Sequence, residues 1–291
     1  TCYDKISACG IWAAALRGGM GMDNRPIGVF DSGLGGLTVV RQLLRKLPGE
    51  DIVYFGDTGR VPYGTRSPET IEKYTRQDSR FLLSRNVKMI IAACGTVSSV
   101  APHILRELPV PAMGVVDPTA DAAVKASPSG RIGILGTPAT IRSASFERRI
   151  REVRPEAEVH AVACPLFVPL VENGFIDKND IVVRTVVQRY LQPLIDSGID
   201  TLILGCTHYP ILREAIADVM GDGVVLIDSG RETARYAARL IKENGLENPQ
   251  KEAGSCEYFV SDRVDGFSKV ASLFLGNTFN QEVHQINIQH Y

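Results

Sequence analysis

The sequence predicts an α/β protein built as two doubly wound α/β domains with pseudo-two-fold symmetry and an active site in the cleft between them. Short apolar runs alternate along the chain with segments of helical period, the pattern of parallel strands joined by crossover helices. Nine such runs are too many for one small sheet. Two of them end at a cysteine, Cys94 and Cys206, and two others end at Asp31-Ser32-Gly33 and Asp228-Ser229-Gly230. This faint echo points to two related halves.

In chain order the strand runs are 26–30, 51–55, 87–92, 111–115, 131–135, 157–162, 200–204, 223–227 and 256–260. Between the first two, Val40, Leu43, Leu44 and Leu47 lie at i, i+3, i+4 and i+7, so the segment after Gly36 is a helix with one apolar stripe. Ser67-Pro68 and Thr137-Pro138 each put a capping hydroxyl before a proline at the first helical position. Pro102 makes the helix after Thr96 begin late or kink. Asp228-Ser229-Gly230 caps a helix beginning near Glu232. The halves divide near Asp117-Pro118, which gives a first domain of 22–116 plus 229–291 and a second of 117–228. Residues 1–21, with Cys2, Cys9 and the only tryptophan, Trp12, show no strand signal and read as a leader outside the fold.

Composition narrows the function. The chain has 291 residues, 44% of them hydrophobic and 22% charged, which suits a folded protein with a sizeable core. Basic residues number 32 and acidic ones 33, so there is no basic field for nucleic acid or an anionic membrane. No apolar run reaches membrane-spanning length. The six cysteines form no C-x-x-C pair and no ligand spacing with the five histidines, so no metal site is expected. Free thiols in a chain this long imply a reducing, cytoplasmic compartment.

The strand-end cysteines carry the chemistry. Ligands of open α/β sheets bind beyond the carboxyl ends of the strands, and a thiol at a helix amino terminus is expected to have a lowered pKa. Either cysteine alone also reads as a small buried hydrophobe. A matched pair, one per half, suggests two proton-transfer groups facing one tetrahedral carbon. Asp31 reads equally as a partner for a thiol or an ammonium and as an Asx-turn residue before the glycines. His208, two residues beyond Cys206, is near enough to tune it, while His103, His160, His284 and His290 have no motif around them. Gly33-Leu34-Gly35-Gly36 suits a carboxylate better than a nucleotide, because neither G-x-G-x-x-G nor G-K-[ST] is present. Cys164-Pro165 reads as packing.

Several blocks carry a family resemblance: Gly28-Val29-Phe30-Asp31-Ser32-Gly33-Leu34-Gly35-Gly36-Leu37, Tyr54-Phe55-Gly56-Asp57-Thr58, Val61-Pro62-Tyr63-Gly64, Ala93-Cys94 with Thr96, Cys164 to Glu172, and Gly205-Cys206-Thr207-His208-Tyr209-Pro210. In this order they cover about 26–275, and the chain resembles the glutamate racemases, cofactor-independent enzymes that make D-glutamate for peptidoglycan. The resemblance implies Cys94 and Cys206 as catalytic acid/base residues, Asp31 assisting the first, and His208 with Glu172 assisting the second. It also implies substrate contacts at Asp31, Ser32, Tyr63, Gly64, Gly95, Thr96, Thr207 and His208, with no cofactor and no metal. A cytoplasmic homodimer is implied, with glutamate as partner and neither nucleic acid nor membrane. The chain departs from the family at Gly95, where an asparagine is usual, so one substrate contact must come from elsewhere. Rival readings are a racemase of aspartate or another small acidic amino acid, a non-catalytic two-domain amino-acid binder, and a cysteine hydrolase using Cys206 and His208.

Overall fold

The computed structural model describes residues 23–265, 267–276 and 279–291. The expected leader therefore lies outside the described residues. Strands β1 (Ile27–Asp31), β2 (Ile52–Gly56), β3 (Met89–Ala92), β4 (Ala112–Gly114), β9 (Cys256–Val260) and β10 (Val283–Gln285) form a parallel sheet of order β10-β9-β2-β1-β3-β4. Strands β5 (Arg131–Gly136), β6 (Glu158–Ala163), β7 (Thr201–Leu204) and β8 (Val225–Asp228) form a second parallel sheet of order β6-β5-β7-β8. The α/β class and the two-sheet arrangement match the sequence expectation.

The first four strands of each half run in the same spatial order, second-first-third-fourth. Cys94 lies just beyond β3 and Cys206 just beyond β7, so the two cysteines occupy equivalent positions. The Asp-Ser-Gly echo does not survive this comparison. Asp31 ends β1, whose counterpart is β5, whereas Asp228 ends β8. The true counterpart of Asp31 is the Gly136-Thr137 corner.

Helix boundaries follow from local chemistry. Helix α1 (Leu37–Lys46) buries Leu37, Val40 and Leu43. Ser67 caps α2 (Pro68–Ser84) by accepting from the Thr70 amide at 3.3 Å. The Pro102 break separates α3 (Gly95–Val100) from α4 (Pro102–Arg106), because proline has no N–H to continue the ladder. Helix α5 (Val116–Ala126) leads into the second half, where Thr137 caps α6 (Pro138–Ser143). Then come α7 (Ser145–Val153), α8 (Phe167–Glu172), α9 (Ile181–Asp196) and α10 (Arg213–Met220). Asp228 caps α11 (Ser229–Glu243) through the Arg231 amide, starting that helix three residues before Glu232. Helix α12 (Phe267–Leu275) precedes β10, a three-residue edge strand too short for a periodicity reading.

Strands β1 and β2 are buried along their whole length, as sheets covered by helices on both faces require. One cluster of buried side chains runs through both halves, joining Val40, Met89 and Tyr54 to Leu204, Tyr209 and Phe274. Among the described residues no helix is long and apolar enough to cross a membrane.

Candidate active site

Asp31 ends β1 as a buried carboxylate, 1% exposed. The Gly33 amide donates to its Oδ2 at 3.1 Å, which is the Asx-turn role. Its Oδ1 is buried and has no hydrogen-bond partner. Burial raises the Asp31 pKa, and His208 together with the amides of Gly36, Gly33 and Ser32 opposes that rise. Part of the glycine run, which its sequence suggested as a cradle for a ligand carboxylate, is therefore turned inward. The amides of Gly33 and Gly36 face the side chain of Asp31 itself.

Cys94 stands between β3 and α3, where its thiol donates to Ser32 Oγ at 3.3 Å. The expected lowering of its pKa is corrected here: burial, then the neighbouring Asp31 carboxylate, pushes the thiol up to about 12. A helix of one and a half turns supplies little dipole to offset desolvation of a thiolate. Cys94 is thus held as a protonated thiol.

Cys206 lies in the second half with its sulfur 3.8 Å from His208 Nδ1, and His208 Nε2 is 3.1 Å from Glu172 Oε1 at the end of α8. Burial alone would lower the His208 pKa, but the contacts with Cys206 and Glu172 outweigh it and raise it to about 10. His208 is therefore an imidazolium at neutral pH, oriented by a carboxylate on one side and a sulfur on the other. The edge of its ring meets Phe274, with centroids 5.2 Å apart.

This charge has a consequence for stability. A histidine whose pKa is raised on folding stabilises the fold fully below its ordinary value of 6.5 and loses that contribution as pH rises through about 10. Glu172 is 43% exposed, so solvent screens part of the pair. Urea unfolding of the wild type is expected to weaken by on the order of 1–2 kcal/mol between about pH 6.5 and 10. His208→Asn should remove most of that loss.

The remaining implied residues converge on the same boundary. Thr96 Oγ1 is 3.0 Å from Thr137 Oγ1, a contact from α3 to the amino terminus of α6. Thr38 Oγ1 donates to the Thr207 carbonyl at 3.1 Å. Gly64 approaches Thr137 so closely that a Cβ there would lie 3.0 Å from the threonine Cβ. Tyr63 is brought near through its backbone only, because its hydroxyl is taken up by Asp57 and Asp78 inside the first half. Gly95 opens α3 and faces the Gly205 carbonyl. Cys94, Thr96, Cys206, Thr207 and His208 are all buried.

Sequence reasoning does not single out Thr137 and Thr38, which make contacts between the two halves. Thr137 had a signal, since it follows the strand equivalent to β1, but its capping role hid it. Cys164 packs beneath the site, fully buried, with its pKa raised by burial. Among the described residues no group of three His, Cys, Asp or Glu side chains is placed to hold a metal ion.

Comparison with known proteins accords with this geometry. The family model for Asp/Glu/Hydantoin racemase matches residues 27–237. The chain is similar to the glutamate racemase of Geobacter metallireducens, 44% identical over 266 residues that cover 91% of this chain and 97% of that protein. It is similar also to that of Chlorobaculum tepidum, 46% identical over 253 residues that cover 86% and 92%. Among solved structures, glutamate racemase from Francisella tularensis in complex with D-glutamate superposes with a TM-score of 0.86 at 39% identity, over 93% of this chain and all of that one. Two equivalent strand-end cysteines on matched sheets, with a racemase model spanning both, establish that the chain belongs to the Asp/Glu/Hydantoin racemase family.

Proposed function

We propose that the chain interconverts L-glutamate and D-glutamate without a cofactor, using Cys94 and Cys206 as acid/base groups on opposite faces of the α-carbon. The observation that carries this reading is the equivalence of the two cysteines, each at the end of the third strand of its sheet and each buried at the shared boundary. The choice of glutamate rests on the relatives, which are glutamate racemases, one of them solved with D-glutamate.

In this scheme one sulfur, as thiolate, takes the α-proton, and the opposite thiol gives its own to the other face of the carbanion. Atoms and charge balance, and the two sulfurs exchange protonation states. A thiol is a far stronger acid than the α-carbon, so preorganised charges must supply much of the barrier reduction. The unpartnered Oδ1 of Asp31 suits the substrate ammonium. The Ser32, Thr96 and Thr207 hydroxyls and the amides at Gly64 and Gly95 are the donors for the two carboxylates. His208, held by Glu172, returns Cys206 to the protonation state the next turnover needs.

The finer assignments belong to the same proposal. Residues 22–116 with 229–291, and residues 117–228, act as two domains that part along the cleft. The enzyme works as a cytoplasmic homodimer, binds neither nucleic acid nor membrane, and supplies D-glutamate for peptidoglycan. The near-neutral charge of −1 supports a small-molecule substrate rather than a polyanion.

Incubation in heavy water is the test. L-Glutamate should lose its optical rotation and gain deuterium at the α-carbon, with L-aspartate as the competing substrate. An α-proton that stays in place would leave only a binding protein, and faster turnover of aspartate would move the enzyme to the other substrate.

A further inference from the structure

The two halves press together around Cys206, and one of the close contacts is at Gly95. An ideal Cβ on Gly95 would lie 2.4 Å from the Gly205 carbonyl oxygen and 3.9 Å from Cys206 Cα. The first contact is with backbone, which cannot swing aside as a side chain can. At Gly35 a Cβ would meet Thr207 Oγ1 at 2.3 Å and His208 Nδ1 at 2.5 Å. Bare backbone from the first half thus presses on the second half at the residues on either side of Cys206. Gly95 lies outside the left-handed region of backbone space. It begins a helix, where alanine is favoured by propensity. Nothing local demands glycine there.

We infer that Gly95 sets the enzyme's affinity for its substrate by letting the two halves close on each other further than a side chain at that position allows. The inference rests on the racemase reading above. A substrate placed between Cys94 and Cys206 has to part the backbones that touch at Gly95 and Gly205. The shut form therefore competes with binding, and the measured affinity is reduced by the fraction of molecules it holds. A methyl group at residue 95 removes the competitor rather than a substrate contact.

The experiment compares wild type, Gly95→Ala and Gly223→Ala. Residue 223 is a surface glycine with open space around its Cβ, and its variant serves as the control. Iodoacetamide labelling of the substrate-free protein, read by peptide mass spectrometry, uses the buried Cys164 as internal reference. Labelling of Cys94 and Cys206 in Gly95→Ala is expected to rise about three- to tenfold, with KM for L-glutamate falling by a similar factor and kcat not rising. Gly223→Ala should match wild type in all three. A damaged fold would raise Cys164 labelling and KM together, so a lowered KM is not what simple disruption produces. Unchanged labelling of the two cysteines overturns the inference, as does faster labelling with KM unchanged or raised. If wild type fails to racemise glutamate, the functional reading falls, and the labelling ratio still decides whether Gly95 lets the cleft shut.

Discussion

Replacing either Cys94 or Cys206 by serine is expected to lower glutamate racemisation by about 10³- to 10⁴-fold, the range for loss of a positioned acid/base group. A hydroxyl is too weak an acid, and its anion too costly in a buried site, to substitute for a thiol. Both positions are buried, with 4% and 7% exposure. Loss of ellipticity of L-glutamate, followed by circular dichroism, gives the rate directly. Exchange should prove more discriminating than inversion. With one thiol gone, the other can still remove and return a proton on its own face, so each variant should retain slow deuterium exchange for a different enantiomer. A hydrolase using only Cys206 and His208 would tolerate Cys94→Ser, and near-normal activity of that variant would remove the two-thiol mechanism.

The largest effect on stability should come from Arg60. Its guanidinium is 2.6 Å from Asp57 Oδ2 and 2.8 Å from Asp78 Oδ1, donates to Gln77 Oε1 at 2.6 Å, and lies 4.0 Å over the Tyr74 ring. Both carboxylates are fully buried. Burial, followed by the charge of Asp57, already holds the Asp78 pKa well up, and Arg60, with the hydrogen bond from the Tyr63 hydroxyl, pulls it back. Arg60→Met leaves two desolvated carboxylates facing each other and should cost about 3–5 kcal/mol in urea unfolding. Adding Asp57→Asn and Asp78→Asn should recover part of that loss, since neutral amides avoid the charge penalty. A loss below about 1 kcal/mol would mean the cluster is far more hydrated than its burial implies. The cluster also binds the Tyr63 hydroxyl, so the Tyr63-Gly64 turn that reaches Thr137 hangs from it. Activity should therefore fall along with stability.

These two predictions differ in how visible their residues are in the sequence. Cys94 and Cys206 stand out because each closes an apolar run, and burial of a parallel strand leaves that signature in the text. Ser67 and Thr137 were legible as caps because a hydroxyl before proline is a local device. Arg60, Asp57 and Asp78 look like ordinary surface charges until helix α2 brings residue 78 back beside residue 57. Likewise the Asp228 motif imitates the Asp31 motif in letters but ends the fourth strand of its sheet rather than the first.

Residue order alone settled the α/β class, the runs that become strands β1 to β9, and the placing of one cysteine after the third strand of each half, since periodicity and end signals act within a few residues of backbone. The tertiary structure decided the rest. It paired β10 with the sheet edge, turned the glycine amides onto Asp31, raised rather than lowered the Cys94 pKa, and set Gly95 against Gly205. Desolvation, charge and steric contact depend on distance through space, and that distance exists only once the two sheets have packed together.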